Sequence, residues 1–188
     1  MSQQPNFVFV ITDQQRADYL GCSGHPVLKT QHIDAIAARG TRFDRCYVAN
    51  PVCMPNRAAL LTGRMTSVNG VRQNGNDLPL HMTTFAQVLK AGGYDTALLG
   101  KSHVQTMTNF PAPIGENPFA GEAYPDAVDI GDSQNYRQEE DASWREHGRQ
   151  AVKLPFYGFD TAEIVSFHGD ATGSAHSHWL REQGIDPA

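Results

Sequence analysis

The sequence has no cluster of Lys or Arg: 15 basic residues against 20 acidic ones give a net charge of −5, with no stretch suited to neutralising a nucleic-acid backbone or gripping an anionic membrane. Nucleic acid and membrane are therefore set aside as partners. No apolar run approaches the roughly 18 residues that suggest a membrane span, and the opening Met1-Ser2-Gln3-Gln4-Pro5 lacks the basic and apolar segments of a secretory leader. The expectation is a soluble, cytoplasmic protein. Cysteine is scarce. Cys22, Cys46 and Cys53 are odd in number and lack metal-clip spacing, which argues against a disulfide framework or a structural zinc site and leaves at least one thiol free. Internal repeats and low-complexity tracts are also missing.

What is present suffices for one domain with a core: 188 residues, 40% of them apolar. Residues 6–11 (Asn-Phe-Val-Phe-Val-Ile) form a short, β-branched and aromatic run, apolar on both faces as a buried central strand would be. Ile33, Ile36 and Ala37 recur at helical spacing before Gly40, and residues 41–49 read as a second strand. Ala58, Ala59, Leu60 and Leu61 favour a helix that Gly63 can stop, with Cys53 near its start. Phe85, Val88 and Leu89 predict another helix closed by Gly92-Gly93, and residues 96–99 a buried strand. Residues 109–155 read as a long surface loop, followed by a strand over 162–167 and a helix around 178–182. Strands alternating with helices imply an α/β sheet.

In such a sheet, functional groups gather where strands end and loops converge. Asp13 and Gln14 follow the first predicted strand and offer two oxygen donors suited to a hard divalent cation, against the commoner role of Asp13 as a turn or helix cap. Cys53 near a helix start suits a nucleophile aided by the helix dipole and by Arg57 one turn on, against the commoner role of a small core residue. Arg57 stands four positions after Cys53, not the six of a cysteine-dependent phosphatase loop. Lys101 and His103 alternate along a segment read as extended, so both can face an oxyanion such as sulfate or phosphate; an exposed Lys beside a solvated His is the plainer reading. Arg64, Arg72 and Asn74 add possible donors. His168, His176 and His178 lack the i, i+4 spacing of a helical metal pair and are assigned surface or structural roles. Asp18, Asp34 and Glu139-Glu140-Asp141 read as solvated charge.

The run Cys53-Met54-Pro55-Asn56-Arg57, followed by Ala58-Ala59-Leu60-Leu61-Thr62-Gly63-Arg64, resembles the signature of the sulfatase family, Cys-x-Pro-x-Arg with a helix and a Thr-Gly-Arg turn. The strand ending at Asp13, the run from Gly93-Tyr94 to Gly100-Lys101-Ser102-His103, and Tyr157-Gly158-Phe159-Asp160 resemble further family segments in the same order. The resemblance implies an alkaline-phosphatase-like α/β fold, a mixed and mostly parallel sheet flanked by helices, with residues 1–188 as the amino-terminal part of one catalytic domain that is incomplete at its carboxyl end.

The same resemblance implies a sulfuric ester hydrolase in which a formylglycine-generating enzyme oxidises Cys53 to an aldehyde. One hydroxyl of the hydrated aldehyde would attack sulfur, and the other would later expel sulfate. Asp13 and Gln14 would hold a divalent metal together with the modified Cys53, with calcium as the first expectation and magnesium or manganese as alternatives. Arg57 would hold the formylglycine. Lys101 and His103 would bind the sulfuryl oxygens, and Asn74 would line the site. The ligand would be a sulfate-ester small molecule or sugar. Asp13-Gln14 in place of Asp-Asp, and Asn56 in place of Ser, are similar to the branch containing phosphonate monoester and phosphodiester hydrolases. The remaining metal ligands and the leaving-group acid would lie beyond residue 188, so this polypeptide alone is expected to be inactive, which also leaves open a non-catalytic protein that binds a cation or oxyanion.

Overall fold

The computed structural model describes residues 4–107 and 136–187, and the chain divides into two compact units, Met1–Tyr47 and Val48–Ala188. In the first unit, a 3-10 turn at Gly21–Ser23 precedes helix α1 (Gln31–Arg39). Asp34 ties the two together by accepting from the Cys22 N–H at 2.7 Å and the Thr30 hydroxyl at 2.8 Å, so its carboxylate is an internal anchor rather than solvated charge. Residues 6–11 and 41–49 belong to neither helix nor strand, and Val8 and Val10 are 88% and 81% exposed. The two strands expected there do not form. An apolar, β-branched run favours extended backbone, but that preference alone does not make a strand.

The second unit begins with α2 (Cys53–Thr62), whose Met54, Ala58 and Leu61 recur at i, i+4 and i+7 and are all buried. Gly63 ends it with φ 65°, the left-handed conformation in which a glycine meets no Cβ penalty. A single turn, α3 (Thr66–Asn69), follows. Helix α4 (Phe85–Ala91) starts with a capping box: Thr84 Oγ1 accepts from the Gln87 N–H at 3.3 Å, and Gln87 Oε1 accepts from the Thr84 N–H at 2.9 Å.

Strand β1 (Ala97–Gly100) pairs in parallel with β2 (Thr161–Ile164), Ala97 opposite Thr161 and Gly100 opposite Ile164. The Val165 N–H continues the ladder to the Gly100 carbonyl at 3.0 Å. The turn before β2 is fixed from both sides, because the Thr84 hydroxyl donates to the Tyr157 carbonyl at 2.6 Å and the Thr96 hydroxyl to that of Gly158 at 2.7 Å. At Gly158, with φ 95°, a Cβ would lie 2.5 Å from the Gln87 nitrogen, so only glycine fits.

Of the loop expected over 109–155, residues 109–135 lie outside the described residues, and the remainder is not a loop throughout. It contains α5 (Asp141–His147) and a 3-10 turn at Gly148–Ala151. Trp144 nails α5 into the core: it is 1% exposed, and its indole N–H donates to the Gln138 carbonyl at 2.9 Å. One buried aromatic outweighs the polar composition around it. Helix α6 (Ala175–Glu182) closes the unit.

Candidate active site

Cys53 is the first residue of α2 and is half-buried. The residue before the helix, Val52, has no side chain able to cap it, and Asn74 performs that task from a separate loop. Its Oδ1 accepts the Met54 N–H at 3.1 Å, and its Nδ2 lies 3.8 Å from Cys53 Sγ. The thiol therefore faces a polar amide at the positive end of a helix. One turn on, Arg57 is 6% exposed, and its guanidinium donates to the Lys101 carbonyl at 2.6 Å. This bond fastens the first turn of α2 to the carboxyl end of β1, bringing Cys53, Arg57, Asn74 and Lys101 into one hydrogen-bonded assembly.

Beyond β1 the chain is not extended as alternation of Lys101 and His103 requires. His103 has φ 49°, in the left-handed region that is costly for a residue with a Cβ, and it is 8% exposed, whereas Lys101 is half-buried. The cause is Glu139. One of its carboxylate oxygens accepts the His103 N–H at 2.7 Å; the other accepts those of Val104 and Gln105 at 2.9 and 2.8 Å. Three successive N–H groups converging on one carboxyl group make a backbone nest, and that geometry turns residue 103 over.

Glu139 and Glu140 are 0% and 4% exposed, so the acidic run Glu139-Glu140-Asp141 is not solvated charge. Burial pushes the Glu139 carboxyl up to about 7 against the pull of its N–H donors. Asp77 braces the same segment by accepting from the Thr106 N–H at 2.6 Å, and burial raises its carboxyl to about 6.

Beyond β2, His168 turns back towards β1, and its Nε2 contacts Lys101 Nζ. His178 packs against Trp144 with ring centroids 6.5 Å apart, and His176 stacks on Trp179 at 6.3 Å. Sequence reasoning missed Glu139, Asp77 and His168. Charge runs and isolated histidines carry no sign of which partner the fold brings to them.

Asp13 and Gln14 lie in the first unit and are exposed, with Gln14 in a left-handed turn at φ 50°. A carboxylate and a carboxamide on consecutive residues are hard oxygen donors, a set that fits a calcium- or magnesium-like cation and not a thiophilic one.

Residues 5–153 match the family model described as Sulfatase. The chain belongs to the sulfatase family. It is 42% identical over 101 residues to an ulvan-active sulfatase of Formosa agariphila, covering 54% of this chain and 20% of that protein. Among solved structures, a protein in complex with its substrate D-glucosamine-2-N,6-O-disulfate matches with a TM-score of 0.54 at 35% identity, over 58% of this chain and 22% of that one. The phosphonate monoester hydrolase of Agrobacterium radiobacter matches with a TM-score of 0.56 at 27% identity, over 92% of this chain and 27% of that one. The chain thus spans about a fifth to a quarter of the length of these proteins. These neighbours are alkaline-phosphatase-like, and the helices and parallel β1–β2 pair of this sulfatase chain are part of that α/β architecture.

Proposed function

We propose that this sulfatase hydrolyses sulfate esters of small molecules or sugars through a formylglycine made from Cys53, with a divalent cation, calcium first. The observation that carries the reading is the junction of the family signature with a hydrogen-bonded assembly: Cys53 opens α2 beside the Asn74 amide, and Arg57 bonds the end of β1 that bears Lys101. The amide near Sγ suits an aldehyde or its hydrate, which need polar neighbours. Members of the family generally use formylglycine and a divalent metal.

Asp13 and Gln14 would hold the cation through oxygen. The hydrated aldehyde would supply a hydroxyl nucleophile and a second hydroxyl as exit route, and the cation would make the first more acidic. Arg57 orients residue 53 and the Lys101 main chain. Lys101 supplies an ammonium, and His103 an imidazole, to the sulfuryl oxygens as negative charge develops. Asn74 lines the site. A sulfated sugar as ligand is supported by the substrate present in the first of the two solved neighbours.

A second reading, hydrolysis of phosphonate monoesters by the same groups, is favoured by the extent of the match to the Agrobacterium enzyme, together with Gln14 and Asn56. Co-expression with a formylglycine-generating enzyme, followed by peptide mass spectrometry, should show thiol-to-aldehyde conversion at Cys53. An unmodified thiol, where a control sulfatase is converted, would remove the formylglycine mechanism. Paired aryl sulfate and phosphonate ester substrates then separate the two readings by which one turns over.

A further inference from the structure

The groups assigned so far leave His168 aside, although the fold takes trouble to place it. Lys101 follows directly on β1, and His168 lies four residues past β2, at the same carboxyl end of two hydrogen-bonded parallel strands. Crevices outside the carboxyl ends of parallel strands are where α/β folds bind ligands. The turn that carries His168 is costly. Phe167 has φ 64° and Gly169 φ 53°, so His168 itself, at φ −147°, is extended between two left-handed residues, one of them bulky. That turn is anchored to the same residue that shapes the other loop: the Ser166 hydroxyl donates to the Glu139 carbonyl at 2.7 Å, while the Glu139 carboxylate gathers the N–H groups of residues 103–105.

We infer that His168 is a further oxyanion-binding residue, which shares one sulfuryl group with Lys101. The contact between Lys101 Nζ and His168 Nε2 gives the chemical reason. A neutral imidazole accepts from the ammonium, while a protonated one repels it. An oxyanion seated between the two resolves that conflict, because it accepts from both cations at once and replaces a like-charge pair by two charge-assisted hydrogen bonds. The inference rests on the proposed sulfate-ester reading and adds a donor from the β2 loop to those from the β1 loop.

Inorganic sulfate, titrated into the full chain at constant ionic strength and followed by calorimetry and by the histidine ring signals in NMR, tests it. His168 is exposed, so His168→Ala should leave the urea unfolding midpoint unchanged, which a change in folding would not. The expected results are a loss of roughly fivefold or more in sulfate affinity in His168→Ala, a smaller loss in His168→Asn, which keeps a donor, and sulfate-dependent shifts of the His168 signals. Unchanged sulfate affinity in His168→Ala, with Lys101→Ala weakened, would overturn the role of His168 and leave the oxyanion site standing. No sulfate binding by the unsubstituted chain would overturn the sulfate reading, and His168 with it.

Discussion

At the residue scale, Asn74 and Arg57 show how a helix start is held without a cap of its own. A helix leaves its first N–H groups without internal partners, and Asn74 Oδ1 takes that of Met54. Asn74→Ala should cost about 1 kcal/mol in urea unfolding. Asn74→Asp keeps the acceptor, gains from the helix dipole, and should be at least as stable as the natural chain. The Asp variant nevertheless loses the amide donor facing Cys53, so it separates capping from any part Asn74 plays at the site. Arg57→Met is the harsher change. It leaves the Lys101 carbonyl without its 2.6 Å guanidinium donor and should cost about 1.5–3 kcal/mol in the same measurement.

At the scale of elements, Glu139 makes the loop after β1 sensitive to pH. Its folded-state carboxyl is raised from 4.5 to about 7, so the folded protein holds a proton that the unfolded chain releases. Stability from this group is therefore full below pH 4.5 and falls as pH rises towards about 7. Asp77, raised from 3.8 to about 6, acts in the same direction over a lower range. Urea midpoints should drop between pH 5 and pH 8 in the natural chain, and drop less in Glu139→Gln. The Gln variant retains one oxygen for the Val104 and Gln105 N–H groups but turns an NH2 towards that of His103, so it should be less stable at pH 5. An equal pH response in both proteins would show that Glu139 is not the titrating group.

The same element shows what the sequence made legible. Helices α1, α2 and α4, the strands β1 and β2, and the stops at Gly40 and Gly63 follow local patterns of apolar spacing and backbone freedom, which the chain carries in consecutive residues. The signature around Cys53 was legible for the same reason. Glu139 was not, because a carboxylate that fills a nest 34 to 36 residues away looks in sequence like any surface acid. Residues 6–11 and 41–49 failed in the opposite sense: their composition reports a preference for extended backbone, while pairing is decided by a partner that composition does not name.

At the scale of the whole molecule, the two units differ in what stabilises them. No described residue of 4–47 is buried, and α1 carries no buried side chain. The second unit encloses Met54, Leu78, Trp144, Phe156 and Ile164 at 1% exposure or less, and each fully buried large side chain contributes about 1.5–3 kcal/mol. Protection from hydrogen exchange scales with the free energy needed to open a segment, and hence with buried apolar contact and enclosed hydrogen bonds. Amides of 4–47 should therefore exchange within the earliest time points of a mass-spectrometric experiment. Those of α2, β1 and β2 should exchange orders of magnitude more slowly, and among the described residues limited proteolysis should cut 4–47 before α2, β1 or β2. A divalent cation bound through Asp13 and Gln14 would change that contrast: at a hundred times its Kd it would add about 2.7 kcal/mol to the state that binds it. Added calcium should then slow exchange around residues 13 and 14, and Asp13→Ala should abolish the slowing. Exchange in 4–47 that is already as slow as in α2 without calcium would show that burial does not set local stability in this chain.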